Sequence, residues 1–374
     1  MIYKSNEYAN FKILPLLQPN PDEKPFDILA VKQACSEGLS ACPAEDRAWA
    51  WLSLLGVFPS IPNKWKDMLE IMNRNYTTFV SDYHVKYWHT HDIPKNIAPE
   101  DFLIPDEPGN PDKTYLQQNV IDDIEMMKAI HTDIIRTTKH LRYFPNDGEV
   151  FNYDTLSKDY DINEVLKLKR ETILRIERIL YIFGKINLTL KYMQGFNELI
   201  MPIYFVMSQG KDAFGQNMDI VEAVVYHCFQ NLITATALQE LYSVHDHSQA
   251  IIQKLKEFDK LLEKKNNRIF NILLKQSISS FYYAFRWFNL LFAQEYELPD
   301  LLIIWDALLS HQPNLIEYAF YIGLCQIKDV ENKLLPNNAS VNISILQNLD
   351  PTRNKVILRE AKKMWFKDHR KEKF

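Results

Sequence analysis

The stretch that decides the fold is residues 116–136, LQQNVIDDIEMMKAIHTDIIR. Apolar side chains recur in it every three or four residues, which is the period of one face of an α-helix. These apolar positions are Val120, Ile124, Met127, Ile130 and Ile134. The stretch therefore predicts a long amphipathic helix that ends in an arginine.

Most of the remaining chain carries the same helical period, and no alternating apolar pattern of useful length predicts a strand. Further helices are predicted at about 44–56, 62–86, 173–184, 198–208, 219–240, 249–264, 278–295, 301–310, 315–330 and 352–370. The chain has nine glycines among 374 residues, against a usual share of about 7%. Helical proteins spare glycine because it weakens helix interiors. Both observations predict an all-α fold.

Charge is distributed unevenly along the chain. The formal net charge is −5, which gives no basic footprint for nucleic acid. Residues 351–374 nevertheless hold nine Lys/Arg and three Asp/Glu, a net charge of +6. The helix predicted at 352–370 is therefore interpreted either as a solvated helix packed on the end of a domain or as a contact with an anionic membrane surface.

Several classes of protein are not supported by the sequence. Its four cysteines are scattered without a C-x-x-C spacing, which is typical of reduced thiols in the cytosol. The N-terminus shows no signal peptide, and no apolar run approaches the length of a membrane span. No metal-ligand spacing and no phosphate-binding glycine loop is present. We therefore expect a cytoplasmic protein without a metal or nucleotide of its own.

A second segment, Tyr192–Asn197 (YMQGFN), combines a glycine with a glutamine just ahead of an apolar stretch. It predicts a tight loop that presents Gln194, with Asn197 as the N-cap of the next helix. An arginine can neutralise charge on a transferring phosphoryl group, and a glutamine can orient the attacking water. Gln194 and Arg136 together could therefore complete the nucleotide site of another protein.

Read separately, the two segments have simpler interpretations. Asp133 and Arg136 are three residues apart on one helix face and could form an ordinary exposed ion pair. Gln194 and Gly195 could belong to an ordinary turn between helices. Both alternatives stay open on the residues alone.

Two downstream segments, 285–295 and 298–306, are rich in aromatic and aliphatic residues and are interpreted as core. Arg286 and Glu295 are expected to form a partly buried structural pair. Asp300 is expected to cap the helix that follows it.

Four groups of residues follow one another along the chain. They are Arg47, Trp51 and Leu54-Leu55-Gly56; Ile130, Asp133 and Arg136; Tyr192, Gln194, Gly195 and Asn197; and the segments 285–295 and 298–306. In this order they resemble the motifs of the TBC domain of Rab GTPase-activating proteins, and within that family the type called TBC domain family member 13. The likeness covers about residues 36–330. Any one group is weakly specific, whereas the ordered set is specific.

This resemblance implies two packed all-helical subdomains with a groove for a Rab GTPase. Arg136 would stabilise the transition state of phosphoryl transfer, and Gln194 would position the attacking water. Support of these two finger residues and contact with Rab are implied for Asp133, Tyr192, Gly195, Asn197, Arg47 and Trp51, the last two from behind the fingers. The Arg136 and Gln194 side chains are therefore expected to open onto one shared groove.

The resemblance also implies partners and domain limits. The partner is a GTP-bound Rab that supplies GTP and Mg²⁺, so no cofactor of the chain's own is expected. The setting is vesicle trafficking, in the cytoplasm with a peripheral contact on endomembranes. The expected division is an irregular lead-in at 1–35, a TBC domain at 36–330 with a proline-rich insertion at 90–111, and a basic helix at 331–374 packed on the domain. A Rab-binding scaffold without a catalytic role stays open as the alternative.

Overall fold

The computed structural model describes residues 11–18, 23–39, 42–83, 113–146, 160–242 and 247–369. This part of the chain forms seventeen α-helices joined by turns and short 3₁₀ helices, and it contains no strand. The predicted all-α fold is confirmed. The proline-rich stretch at 90–111 lies outside the described residues.

The first eight helices carry or precede the two predicted finger segments. They are α1 (Ile28–Cys35), α2 (Ala44–Leu54), α3 (Trp65–Asp82), α4 (Lys113–Ile135), α5 (Thr138–Leu141), α6 (Ile162–Leu168), α7 (Arg170–Ile186) and α8 (Phe196–Gln209). Nine more helices follow. They are α9 (Met218–Thr234), α10 (Leu238–Leu241), α11 (His247–Lys265), α12 (Asn267–Lys275), α13 (Phe285–Asn289), α14 (Leu298–Ser310), α15 (Leu315–Val330), α16 (Ala339–Gln347) and α17 (Asn354–Asp368).

These helices divide into two compact units, in agreement with the expectation of two helical subdomains. Unit 1 contains the described residues within 1–66, 209–215 and 230–374, and unit 2 contains those within 67–208 and 216–229. The units are not consecutive in the chain, because the N-terminal segment belongs with the C-terminal one. Both predicted finger residues, Arg136 and Gln194, lie in unit 2.

The core of unit 1 is organised around the buried carboxylate of Asp306 on α14. It accepts hydrogen bonds from Trp51 Nε1 at 2.8 Å, from the Leu39 backbone N–H at 2.7 Å and from Arg47 Nε at 3.2 Å. The Trp51 ring also stacks on Trp305 with ring centroids 5.6 Å apart. Burial raises the pKa of Asp306, and the Arg47 guanidinium opposes that rise. These bonds fasten α2 to α14.

Helix α17 packs along α15 within the same unit. Its buried face includes Ile357, Leu358 and Ala361, and its Trp365 ring meets Tyr321 edge-on at 5.2 Å. The apolar side of this basic helix is therefore covered by the protein.

Unit 2 contains a buried ionic network beside its aromatic core. Arg178 on α7 and Glu222 on α9 are almost fully buried and form a two-point ion pair. Glu222 also accepts hydrogen bonds from the Tyr76 hydroxyl at 2.6 Å and from Arg175 Nη1 at 2.7 Å. Because each charge has several partners, burial of this pair does not leave a charge uncompensated. The network fixes α3, α7 and α9 together.

Three local expectations are wrong. The lead-in at 1–35 is not irregular throughout, because it contains α1, whose N-cap Asp27 accepts a hydrogen bond from the Leu29 N–H. The helix predicted at 278–295 is broken after α13, where Leu291 and Phe292 adopt positive φ angles of 48° and 63°. Asp300 is not a cap, because α14 begins earlier, at Leu298, and Asp300 lies in its first turn.

Candidate functional site

Helix α4 ends immediately before the predicted arginine finger. Its apolar side chains Met127, Ile130 and Ile134 are fully buried, which anchors the last turns of the helix in unit 2. The helix stops at Ile135, and Arg136 occupies the turn that follows with an exposed side chain. The arginine is therefore presented from the end of a helix whose other face is fixed in the core.

The predicted glutamine finger lies on a tight loop ahead of α8. Gly195 in this loop has φ +105°, a conformation that side-chain-bearing residues rarely adopt. The neighbouring Gln194 is exposed, whereas Phe196 is fully buried. The Phe196 ring packs edge-on against Phe183 and Phe229, with ring centroids 5.5 Å away in each case. The loop thus exposes Gln194 while the nearby Phe196 fixes the loop in the aromatic core.

Hydrogen bonds join the two segments directly. The Tyr192 hydroxyl donates to Asp133 Oδ2 at 2.9 Å. Asn197 Nδ2 donates to Thr137 Oγ1 at 2.7 Å and to the Asp133 backbone carbonyl at 3.2 Å. Asn197 Oδ1 accepts from the Gly195 N–H at 3.1 Å. We call these five residues, Asp133, Thr137, Tyr192, Gly195 and Asn197, the finger platform.

Two expectations about these residues are corrected by the platform. Asp133 forms no ion pair with Arg136 among the described residues, because its carboxylate turns to Tyr192 instead. Asn197 is not an N-cap, since α8 already begins at Phe196 and the Asn197 side chain reaches across to Thr137. Burial and the adjacent Asp133 carboxylate raise the pKa of Tyr192, so its hydroxyl stays protonated as the donor.

Two histidine–carboxylate contacts connect the helices next to the finger platform to other helices. His140 Nε2 on α5 lies 3.3 Å from Glu198 Oε2 in the first turn of α8, and both residues are buried. His131 Nδ1 on α4 lies 2.6 Å from Glu177 Oε1 on α7. The hydrogen bond to Glu177 raises the pKa of His131, and burial raises the pKa of Glu177. Both helices that adjoin a predicted finger residue, α4 and α8, are therefore bonded to neighbouring helices.

Sequence reasoning missed a glycine that brings three elements together. A Cβ atom added at Gly184 on α7 would lie 2.7 Å from Met126 Sδ on α4 and 3.3 Å from the Tyr192 backbone nitrogen. A side chain here would require Met126 to shift and would press on the Tyr192 backbone. The helix predicted at 173–184 ends at this glycine, whereas α7 continues to Ile186, so the sequence analysis took Gly184 for a helix end.

The predicted supports Arg47 and Trp51 lie elsewhere, in unit 1. Their contacts there are with Asp306, Leu39 and Trp305. Trp51 is fully buried and offers no surface to a partner. Their indirect support of the fingers stays a prediction.

Two polar side-chain groups next to the platform, the Arg136 guanidinium and the Gln194 amide, are exposed. Within the described part of the chain, neither the Arg136 guanidinium nor the Gln194 amide makes a hydrogen bond or ion pair. An exposed cation and an exposed amide that adjoin the same hydrogen-bonded platform can receive an anion and a water molecule from a partner. Among the described residues, no cluster of His, Cys, Asp or Glu could hold a metal ion. In the same part of the chain, no helix has the length and apolar character needed to cross a membrane.

Comparison with known proteins agrees with the fold and with the family resemblance. The family model of the Rab-GTPase-TBC domain matches residues 154–335, a range that contains Gln194 and Asp306 but begins after Arg136. This match, together with the relatives below, confirms the resemblance of the chain to the TBC-domain family.

Full-length relatives extend the likeness over the arginine segment. TBC1 domain family member 13 of Homo sapiens is 24% identical over 386 residues, covering 90% of this chain and 94% of the relative. The Mus musculus protein of the same name is 24% identical over 371 residues, covering 86% and 90%. The crystal structure of the Ypt/Rab-GAP domain of Gyp1p superposes with a TM-score of 0.68 at 17% identity, covering 95% of this chain and 96% of that one.

Proposed function

We propose that the chain is a GTPase-activating protein for a Rab-family GTPase and that Arg136 and Gln194 act in trans on the bound GTP. The observation that carries this proposal is the finger platform, which joins the two segments through buried and part-buried hydrogen bonds and leaves the Arg136 and Gln194 side chains exposed. The names of the family and of the superposed Ypt/Rab-GAP domain support the same activity.

Hydrolysis adds water to the γ-phosphoryl group and breaks its bond to the β–γ bridging oxygen, giving GDP and phosphate. Negative charge grows on the phosphoryl and bridging oxygens as that bond breaks, and the Arg136 guanidinium stabilises it. The Gln194 amide orients the attacking water through its carbonyl and N–H groups. GTP and Mg²⁺ are held by the Rab, so this chain supplies charge and orientation only.

Single-turnover GTP hydrolysis by a panel of GTP-loaded Rab proteins tests the proposal. An arginine finger is worth roughly 10³–10⁵ in rate, so Arg136→Ala should remove most stimulation of the cognate Rab. Gln194→Ala should also lower the rate strongly, because the water loses its orienting group. Arg74→Ala and Asn75→Ala, which alter exposed residues on α3 of the same unit, should stimulate like the parent.

The alternative function, a Rab-binding scaffold, gives a different result. A scaffold would bind a GTP-loaded Rab without accelerating hydrolysis, and Arg136→Ala would change neither quantity. Binding measured with a GTP analogue, beside the hydrolysis assay, separates the two functions. Parent-like stimulation by both finger variants would overturn the catalytic proposal.

We also propose that α17 contacts an anionic membrane surface through charge. Lys355, Arg359, Lys363 and Lys367 follow one another at four-residue spacing, so they share one face, and all four are exposed. Because the apolar face of α17 is packed on α15, this contact does not require insertion. Each such charge near an anionic surface is worth about 1 kcal/mol. This contact would bring the chain from the cytoplasm to membranes that carry its Rab.

Vesicle co-sedimentation tests the membrane contact. Phosphatidylcholine vesicles containing phosphatidylserine should bind the parent at low salt and release it at high salt. Replacing the four α17 residues with alanine should abolish binding. Replacing Lys256, Lys260 and Lys264, which have the same spacing on α11, is the control and should not. Equal binding by both variants would contradict the proposal.

A further inference from the structure

Thr137 directly follows the arginine finger and is almost completely buried, with 1% of its surface exposed. Its hydroxyl donates to the Asp133 backbone carbonyl at 2.8 Å and accepts from Asn197 Nδ2 at 2.7 Å. One hydroxyl therefore closes the end of α4 and receives the side chain that comes from the glutamine segment. None of the motif residues named from the sequence has this double role.

The Asn197 side chain continues the connection toward the glutamine finger. Its Oδ1 accepts the N–H of Gly195, the residue directly after Gln194. A chain of hydrogen bonds thus runs from the peptide group beside Gln194, through Asn197, to the residue beside Arg136. Tyr192 provides a second, separate link through Asp133.

We propose that Thr137 is a positioning residue that sets the placement of Arg136 relative to Gln194 through its hydrogen bond with Asn197. This inference rests on the proposed function. A misplacement of about 1 Å in a catalytic group can cost 10²-fold in rate. The hydroxyl, and not only the shape of the side chain, should therefore be needed.

The Thr137→Val variant isolates the hydroxyl, since valine keeps the size and branching of threonine. Asn197 Nδ2 retains its 3.2 Å bond to the Asp133 carbonyl, so the loop should loosen without unfolding. We expect the kcat of GTP hydrolysis by the Rab, as stimulated by this chain, to fall about 10- to 100-fold. The KM should change less than about threefold. Thr137→Ser restores the hydroxyl and should recover most of the rate.

Thr138→Val is the matched control, because Thr138 is the next residue, is also buried and receives the same substitution. Its side chain makes no hydrogen bond to the glutamine loop among the described residues. Thr138→Val should leave kcat near the parent value. Equal losses in Thr137→Val and Thr138→Val would overturn the role of the Thr137 hydroxyl.

A double-mutant cycle separates positioning from a general structural effect. In an Arg136→Ala background there is no arginine finger left to position, so adding Thr137→Val should lower the residual rate less than about threefold. A full 10- to 100-fold loss in that background would overturn the inference. If Arg136→Ala alone has no effect, the proposed function fails; if it acts but Thr137→Val does not, only this inference fails.

Hydrogen exchange provides a readout that does not depend on Rab. The Gly195 N–H is held by Asn197 Oδ1, and loss of the Thr137 hydroxyl should loosen the Asn197 side chain by removing one of its two hydrogen bonds to the arginine segment. Exchange over a peptide covering 191–198 should therefore speed up at least about threefold in Thr137→Val but not in Thr138→Val. Unchanged exchange in both variants would contradict the proposed chain of hydrogen bonds.

Discussion

Arg47 and Arg136 both belong to segments that resemble motifs of the TBC-domain family, yet their surroundings are opposite. Arg47 in unit 1 has 16% of its side chain exposed and is paired with the buried Asp306. Arg136 in unit 2 is exposed and, within the described residues, has no partner of its own. Its neighbour Thr137, in contrast, is buried and hydrogen-bonded. The arginine that is hydrogen-bonded within the protein stabilises the fold, whereas the exposed arginine is the one that we propose to act on a partner.

The largest stability effect should come from Arg47→Ala. Removing one member of a buried ion pair typically costs about 3–5 kcal/mol, because the other charge is left buried without compensation. Urea unfolding should show this loss for Arg47→Ala. Arg353→Ala is the control, since Arg353 also pairs with a carboxylate in unit 1 but is 45% exposed, and it should cost less than about 1 kcal/mol. Equal costs would remove the contrast between structural and exposed arginines.

Burial in unit 1 should also make stability depend on pH. Burial lowers the pKa of His311 to about 4, whereas an unfolded histidine titrates near about 6.5. The unfolded chain therefore binds the proton more readily between these values. Stability should be kept above about pH 6.5 and should fall by roughly 3 kcal/mol as the pH drops to 4.

Comparison with His311→Phe isolates this contribution. Phenylalanine preserves the stacking on Tyr318, where the ring centroids lie 3.4 Å apart, but it has no proton to gain. Urea unfolding of the variant between pH 7 and pH 4 should show a shallower loss of stability than the parent. Parallel pH profiles would show that His311 does not contribute.

Gly184→Ala should test the close packing beneath the fingers. The added methyl group meets Met126 Sδ and the Tyr192 backbone nitrogen, and such overpacking typically costs about 1–3 kcal/mol. Met126→Ala should recover part of the thermal stability, because it removes the thioether. It should not recover stimulation of GTP hydrolysis by the Rab, since the contact between the added methyl group and the Tyr192 backbone nitrogen remains. Full recovery of both properties would show that the loop is insensitive to this approach.

The smallest stability effect belongs to Arg136→Ala. An exposed side chain without a partner among the described residues should contribute within about 0.5 kcal/mol. Its melting temperature should therefore match that of the parent even though stimulation of Rab is lost. A large drop in melting temperature would mean that Arg136 serves the fold as Arg47 does.

The sequence predicted the long helices, the helix end at Arg136 and the loop at Gln194 because their signals are local. The apolar face of α4 and the glycine in the glutamine loop both appear within one window of residues. The short helices α12 and α16 were not predicted, because the signal for each start is a single polar residue. Asn266 caps α12 by accepting from the Ile269 N–H, and Asn338 caps α16 by accepting from the Val341 N–H.

Partners across large sequence separations could not be predicted. The i, i+3 spacing suggested an ion pair between Asp133 and Arg136, but Asp133 accepts from Tyr192, 59 residues away. The role of Thr137 also depends on a distant residue, Asn197, with which it shares no local pattern. Spacing shows which side chains can meet along one helix, whereas tertiary packing decides which bonds form.

The interleaved units have a consequence for the order in which the chain assembles during synthesis. Translation proceeds from the N-terminus at about 5–20 residues per second. All residues of the finger platform exist once Asn197 has been made, whereas Arg47 waits for Asp306, which lies 259 positions later. We therefore expect unit 2 to begin folding on the ribosome while the N-terminal segment stays without its partner. The segment that contains Arg47 is therefore made before unit 2 but should form its native contacts after it.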